Sequence, residues 1–159
     1  MIATPRTWDA GLPKLLAFRT PAAHFALADA PASYILPASL GPAVLNQCSR
    51  SAPQNVAEFF TPDPGDVADM EVRLVPYIKN RSARMHFESY GRQYVGFTRK
   101  GRHFLYGNFF NLKLFDSFFR LKDPQSKPVV VCDGGDNIWG VVYSLDSHSF
   151  SELHFNGPG

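Results

Sequence analysis

The sequence predicts an α+β domain in which two N-terminal helices pack on an antiparallel sheet of four, or with a further extension five, strands. Three observations carry this. Asp63-Pro64 opens a stretch whose apolar residues Val67, Met70, Leu74 and Ile78 recur at helical spacing. After Gly91 the pattern changes to strand-like, with Arg99-Lys100-Gly101 as a tight turn between two runs. Fourteen phenylalanines and thirteen prolines tilt the composition toward strands and turns and away from long helices.

The elements follow in order. Residues 1–36 read as a proline-punctuated extension, since Pro5, Pro13, Pro21 and Pro31 prevent a long helix. The same segment also reads as a degenerate export signal: Lys14 and Arg19 precede Ala22 to Ala30, and Ala28-Asp29-Ala30 has the small-x-small form of a cleavage site. His24 and Asp29 interrupt its apolar core. A single domain is expected over 37–159. Its first helix should be capped by Ser39 and bury Leu40, Val44, Leu45 and Cys48, with Pro42 in the first turn. Ser51 to Pro62 is connection. The second helix takes Asp63 as cap, Pro64 at its first position, and Asp66 and Asp69 near its positive end. Pro76 requires it either to stop near Arg73 or to bend and continue to Lys79.

Gln93 to Thr98 and Arg102 to Phe110 form the first expected hairpin. Residues 111–127 fit neither period. Pro128 to Cys132, a β-branched run, reads as a central, doubly covered strand that turns at Cys132-Asp133-Gly134-Gly135-Asp136-Asn137 into Ile138 to Tyr143. Leu145 to His148 then turns the chain into Phe150 to Phe155. With both helices on one face of the sheet, the outline is cystatin-like, an analogy of shape that carries no activity.

Charge and chemistry bound the function. Sixteen basic and fourteen acidic side chains give +2, too little to make nucleic acid or an anionic membrane the default partner. No stretch approaches the ~20 apolar residues of a membrane span. The charges are unevenly placed: Glu58 to Glu71 holds five acids and no base, Lys79 to Arg102 seven bases and one acid. That basic stretch, with Tyr90, Tyr94, Phe97, Phe104 and Tyr106 interleaved, offers a nucleic-acid reading as an alternative; Arg99, Arg102 and Trp139 are ligand-contact candidates. Lys100-Gly101-Arg102-His103-Phe104 lacks the aromatic that the ribonucleoprotein motif places after its glycine, which disfavours nucleic acid. Asp133, Asp136 and Asn137 bring three oxygen-bearing side chains around two glycines. They are ligand-contact candidates and the basis of a hydrolase alternative, set against their ordinary use in a tight turn. The calcium-loop spacing is absent, the five histidines have no metal spacing, and no cofactor or metal is expected. Cys48 and Cys132 fit three readings: a disulfide in an oxidising compartment, two buried thiols in the cytoplasm, or Cys132 as a nucleophile.

From Gln93 onward the chain resembles small exported bacterial proteins of unknown function. The residues that carry the likeness are Gln93-Tyr94-Val95-Gly96, Tyr106-Gly107-Asn108, Val130 to Gly135, Trp139 to Tyr143, and Phe150 with Leu153 to Gly157, together with Ala43 to Ser49. The resemblance spans about Leu36 to Gly157 and implies a periplasmic or secreted location and a Cys48–Cys132 bridge. It implies no reaction. The combined reading is a small non-enzymatic domain that binds a protein or small ligand, cytoplasmic only if residues 1–36 are no signal.

Overall fold

The computed structural model describes residues 32–81, 86–114 and 123–158. Most of the N-terminal extension, Arg84 and residues 115–122 lie outside them. The chain folds as an α+β domain on a six-stranded, mostly antiparallel sheet. Strands are β1 (Ser33–Ile35), β2 (Glu58–Phe60), β3 (Tyr90–Arg99), β4 (Arg102–Asn111), β5 (Ile138–Ser144) and β6 (Ser149–Phe155); helices are α1 (Gly41–Leu45), α2 (Pro64–Lys79) and the turn α3 (Leu112–Leu114).

The β3–β4 and β4–β5 ladders are the frame, with Tyr94 opposite Gly107 and Tyr106 opposite Val142. Two of the expected hairpins form, β3–β4 through Lys100-Gly101 and β5–β6 through residues 145–148. Lys100 and Gly101 both have positive φ, 52° and 72°, the backbone that a two-residue hairpin turn requires. Two of the strands lie outside the expected set. β1 pairs parallel with Arg92 to Tyr94, and β2 pairs antiparallel with Gly96 to Thr98, so both lie end to end on the outer edge of β3. On the opposite edge β6 carries a register shift, where Glu152 adopts φ +51°.

Helix α2 runs as its punctuation predicts. The Asp63 carboxylate accepts from the Gly65 N–H at 2.7 Å, and Val67, Met70, Leu74 and Ile78 are all buried. The helix passes through Pro76 to Lys79 because the carbonyl deprived of a partner belongs to Val72, which is 74% exposed and faces water. Helix α1 is shorter than expected. It follows a 3₁₀ turn at Ala38–Leu40 and stops at Leu45, where the Gln47 side-chain amide donates to the Val44 carbonyl. Cys48 therefore lies in an exposed loop and not on a buried helical face.

Two further expectations are corrected. The helices do not share a face. Val67, Met70, Leu74 and Ile78 of α2 pack with Tyr94, Leu105, Phe109, Trp139, Val141 and Tyr143. Val44 of α1 packs with Leu36, Val95, Phe97, Tyr106 and Val142. Strand residues alternate between these two clusters, so both faces of the sheet are covered. Second, Pro128 to Cys132 is not a strand, and β4 takes the central place. Side chains satisfy its backbone instead: Val129 N–H donates to Gln93 Oε1 at 2.8 Å, and its carbonyl accepts from Asn108 Nδ2 at 2.9 Å. Val130 is 44% exposed. The Cys132–Asn137 segment is thus no hairpin turn but a loop that enters β5 through a 3₁₀ turn at Gly135–Asn137.

Leu74 is the test of the α2 interface. Leu74→Ala should lower unfolding stability by about 2–5 kcal/mol, and Val72→Ala by less than about 0.5 kcal/mol. Denaturant titration reads both; equal costs would contradict the assignment of faces.

Candidate functional site

Both hairpin turns lie at the same end of the sheet, linked by the Leu145 N–H donating to the His103 carbonyl at 3.0 Å. On the α1 side of this end, Asn55, Arg99, Lys100, Arg102 and Phe104 line an open groove of about 540 Å³. Phe97 and Phe104 face each other across the β3–β4 ladder as a stacked pair, centroids 5.3 Å apart. The Arg99 guanidinium lies over both rings, 5.7 Å from the Phe97 centroid and 5.0 Å from that of Phe104, and its Nη2 meets the Glu152 carboxylate at 2.6 Å. Lys100 and Arg102 are exposed and have no ion-pair partner among the described residues.

On the α2 side of the same end, Asp69 gathers three donors. Arg73 Nε donates to its Oδ1 at 2.9 Å, and the Tyr143 hydroxyl donates to its Oδ2 at 2.5 Å. His148 Nδ1 stands 2.9 Å from that same oxygen and 3.0 Å from the Tyr143 hydroxyl. Burial by itself would raise the Asp69 carboxyl; the bonds from Tyr143, Arg73 and His148 outweigh it and hold the group below its ordinary value. Burial and the adjacent Asp69 raise the Tyr143 hydroxyl.

The basic stretch does not form one surface. Arg92 is buried, pairs with Glu71 at 3.3 Å and lies over the Phe87 ring. Arg81 stacks on Tyr77 at the far end of α2. Tyr90, Tyr94, Phe97 and Tyr106 are core residues. Arg99 and Arg102 are brought together at the groove; Trp139 is not. It is fully buried and stacks on Phe109 at 3.8 Å, because it shares the core-facing parity of Val141 and Tyr143, and it is removed from the ligand-contact set.

Cys48 and Cys132 form a disulfide, Cα atoms 4.9 Å apart, between two exposed loops. A bridged Cys132 carries no thiolate. Asp133 and Asp136 are exposed, and their carbonyls accept from Asn156 Nδ2 and the Tyr90 hydroxyl, at 3.0 and 2.9 Å. Asn137 donates to the Gly134 carbonyl and accepts from Asn111. Gly134 and Gly135 supply positive φ. This is the chemistry of a turn, and among the described residues no group of His, Cys, Asp or Glu side chains could hold a metal ion.

Beside the bridge lies a polar cluster absent from the expected sites. Arg50 is 8% exposed, and donates through Nε to Tyr106 Oη, through Nη1 to Asn156 Oδ1 and through Nη2 to Asn108 Oδ1, at 3.1, 2.6 and 2.5 Å. Asn108 Nδ2 continues to Gln93 Oε1, and Gln93 Nε2 donates to the carbonyls of Pro124 and Lys127. Asn156 Nδ2 holds the Val131 carbonyl at 2.6 Å. The only sequence signal was Gln93 and Asn108 interrupting apolar strands at the same parity as core residues.

Compared with protein-family models, curated proteins and solved structures, the chain shows no match. Among the described residues no helix is long and apolar enough to cross a membrane.

Two measurements check these networks. Asn108→Leu leaves an Arg50 donor and the Val129 carbonyl unpaired and should cost about 3 kcal/mol; with Arg50→Met added, the double variant should lose clearly less than the sum of the singles. Additive losses in urea titrations would deny the coupling. For Asp69, a depressed carboxyl contributes stability that is present above its unfolded value of 3.8 and is lost as pH falls through its lower folded value. The gap in thermal midpoint between the native chain and Asp69→Asn should therefore narrow below about pH 4, and a gap independent of pH would overturn this.

Proposed function

We propose that this chain is a small exported, non-enzymatic domain, periplasmic or secreted, that binds a partner through the hairpin end of its sheet. The carrying observation is the Cys48–Cys132 disulfide, exposed on both sides. An accessible bridge is reduced in the cytosol and persists in oxidising compartments. The resemblance to small exported bacterial proteins points the same way. With only α2 on that face of the sheet, the cystatin-like comparison reaches no further than a proposed outline and lends no activity.

The choice of surface follows from the packing. Both sheet faces are covered, so recognition falls to the ends and edges of the sheet. One end gathers two turns, an open groove and the exposed cations Lys100 and Arg102. The hydrolase alternative has less support, since Cys132 is bridged and the backbones of Asp133 and Asp136 serve a turn.

Thiol titration of the denatured protein, taken from its native compartment, tests the export reading. No free thiol without reductant and two with it is the expected result. Two free thiols without reductant would overturn it.

A further inference from the structure

We infer that the groove at the β3–β4 turn accepts an extended, carboxylate-bearing segment of another protein, and that Glu152 occupies one of its carboxylate positions when no partner is bound. The inference rests on the hairpin-end reading and names its partner chemistry.

One residue of the groove wall, Arg99, already holds a carboxylate. Arg99 lies on the Phe97–Phe104 pair, which fixes the guanidinium, and the Glu152 carboxylate meets it at 2.6 Å. Glu152 reaches this place from the register shift of β6, in a backbone conformation of positive φ that a non-glycine residue seldom adopts. Beyond that pair, Lys100 and Arg102 extend the positive charge along the turn, and Asn55 on the facing loop supplies an amide. Cations in a row beside a groove open to solvent suit an extended chain with repeated acids. A single-stranded nucleic acid fits less well. It needs a free aromatic face for base stacking, whereas Phe97 is buried and the pair is covered by Arg99.

The test follows amide shifts of the full, disulfide-bonded chain on addition of a Glu-rich peptide, or of a single-stranded oligonucleotide of matched net charge. The peptide should shift Lys100, Gly101, Arg102 and Asn55. Arg102→Glu should weaken it about ten-fold, whereas Lys79→Glu, the same charge change near Phe87 at the far end of α2, should change it less than about two-fold. Glu152→Gln should tighten binding several-fold by freeing Arg99. Unchanged thermal midpoints show that the variants fold. Shifts at the turn with the oligonucleotide alone overturn the partner class and leave the hairpin end as the binding surface. Shifts confined to other surfaces, or none with either probe, overturn both. Equal losses in Arg102→Glu and Lys79→Glu reduce the effect to net charge and overturn the groove. No gain in Glu152→Gln removes the competitor.

Discussion

A buried guanidinium with no carboxylate in contact must be satisfied by neutral oxygens, and among the described residues Arg50 is satisfied in that way, by Tyr106, Asn108 and Asn156. These three acceptors come from β4 and from the residue after β6, while Arg50 itself comes from the loop after α1. The network therefore fixes where the otherwise irregular segments 46–57 and 123–134 sit on the sheet. Through Gln93 and Asn108 it supplies the hydrogen bonds that a neighbouring strand would have given to Val129. Breaking one member leaves charge or backbone unpaired in a low-dielectric interior, which is why such a cluster behaves as a unit. Burial, and then Arg50 acting against it, set the Tyr106 hydroxyl, which ends above its ordinary value.

The other face is organised by a paired charge. Glu71 of α2 accepts from Tyr94 at 2.7 Å and from Ser33 at 3.2 Å, and meets Arg92. One carboxylate thus ties the helix to β1 and β3 above an aromatic core. The disulfide adds a third tie at the surface. Closing 84 residues, it removes about 4–5 kcal/mol of chain freedom from the unfolded state in the entropic description.

What could be read from the sequence follows the range of the signal. The cap, proline and stripe of α2 are local, and so are the turn of β3–β4 and the apolar runs of β5 and β6; each appears where expected. β1 and β2 are three residues each and exist only because β3 pairs with them, so no local pattern announces them. The run Val129-Val130-Val131 has the composition of a buried strand, but side chains from distant residues took its hydrogen bonds. Of the site, Arg99 and Arg102 were legible from the basic stretch. Arg50 was not, since an isolated arginine is ordinarily read as surface. The parity of Trp139 with Val141 and Tyr143 was available and would have placed it in the core.

The bulge at Glu152 has a consequence beyond the groove. β6 is the outer strand on its side of the sheet, a place where exposed backbone groups invite another molecule to add a strand. Because its register breaks between the partners of Gly140 and Val142, the donors and acceptors on its free side do not form one continuous row. A foreign strand could match one half or the other but not both, so the kink that carries Glu152 toward Arg99 also guards this edge against self-templated aggregation.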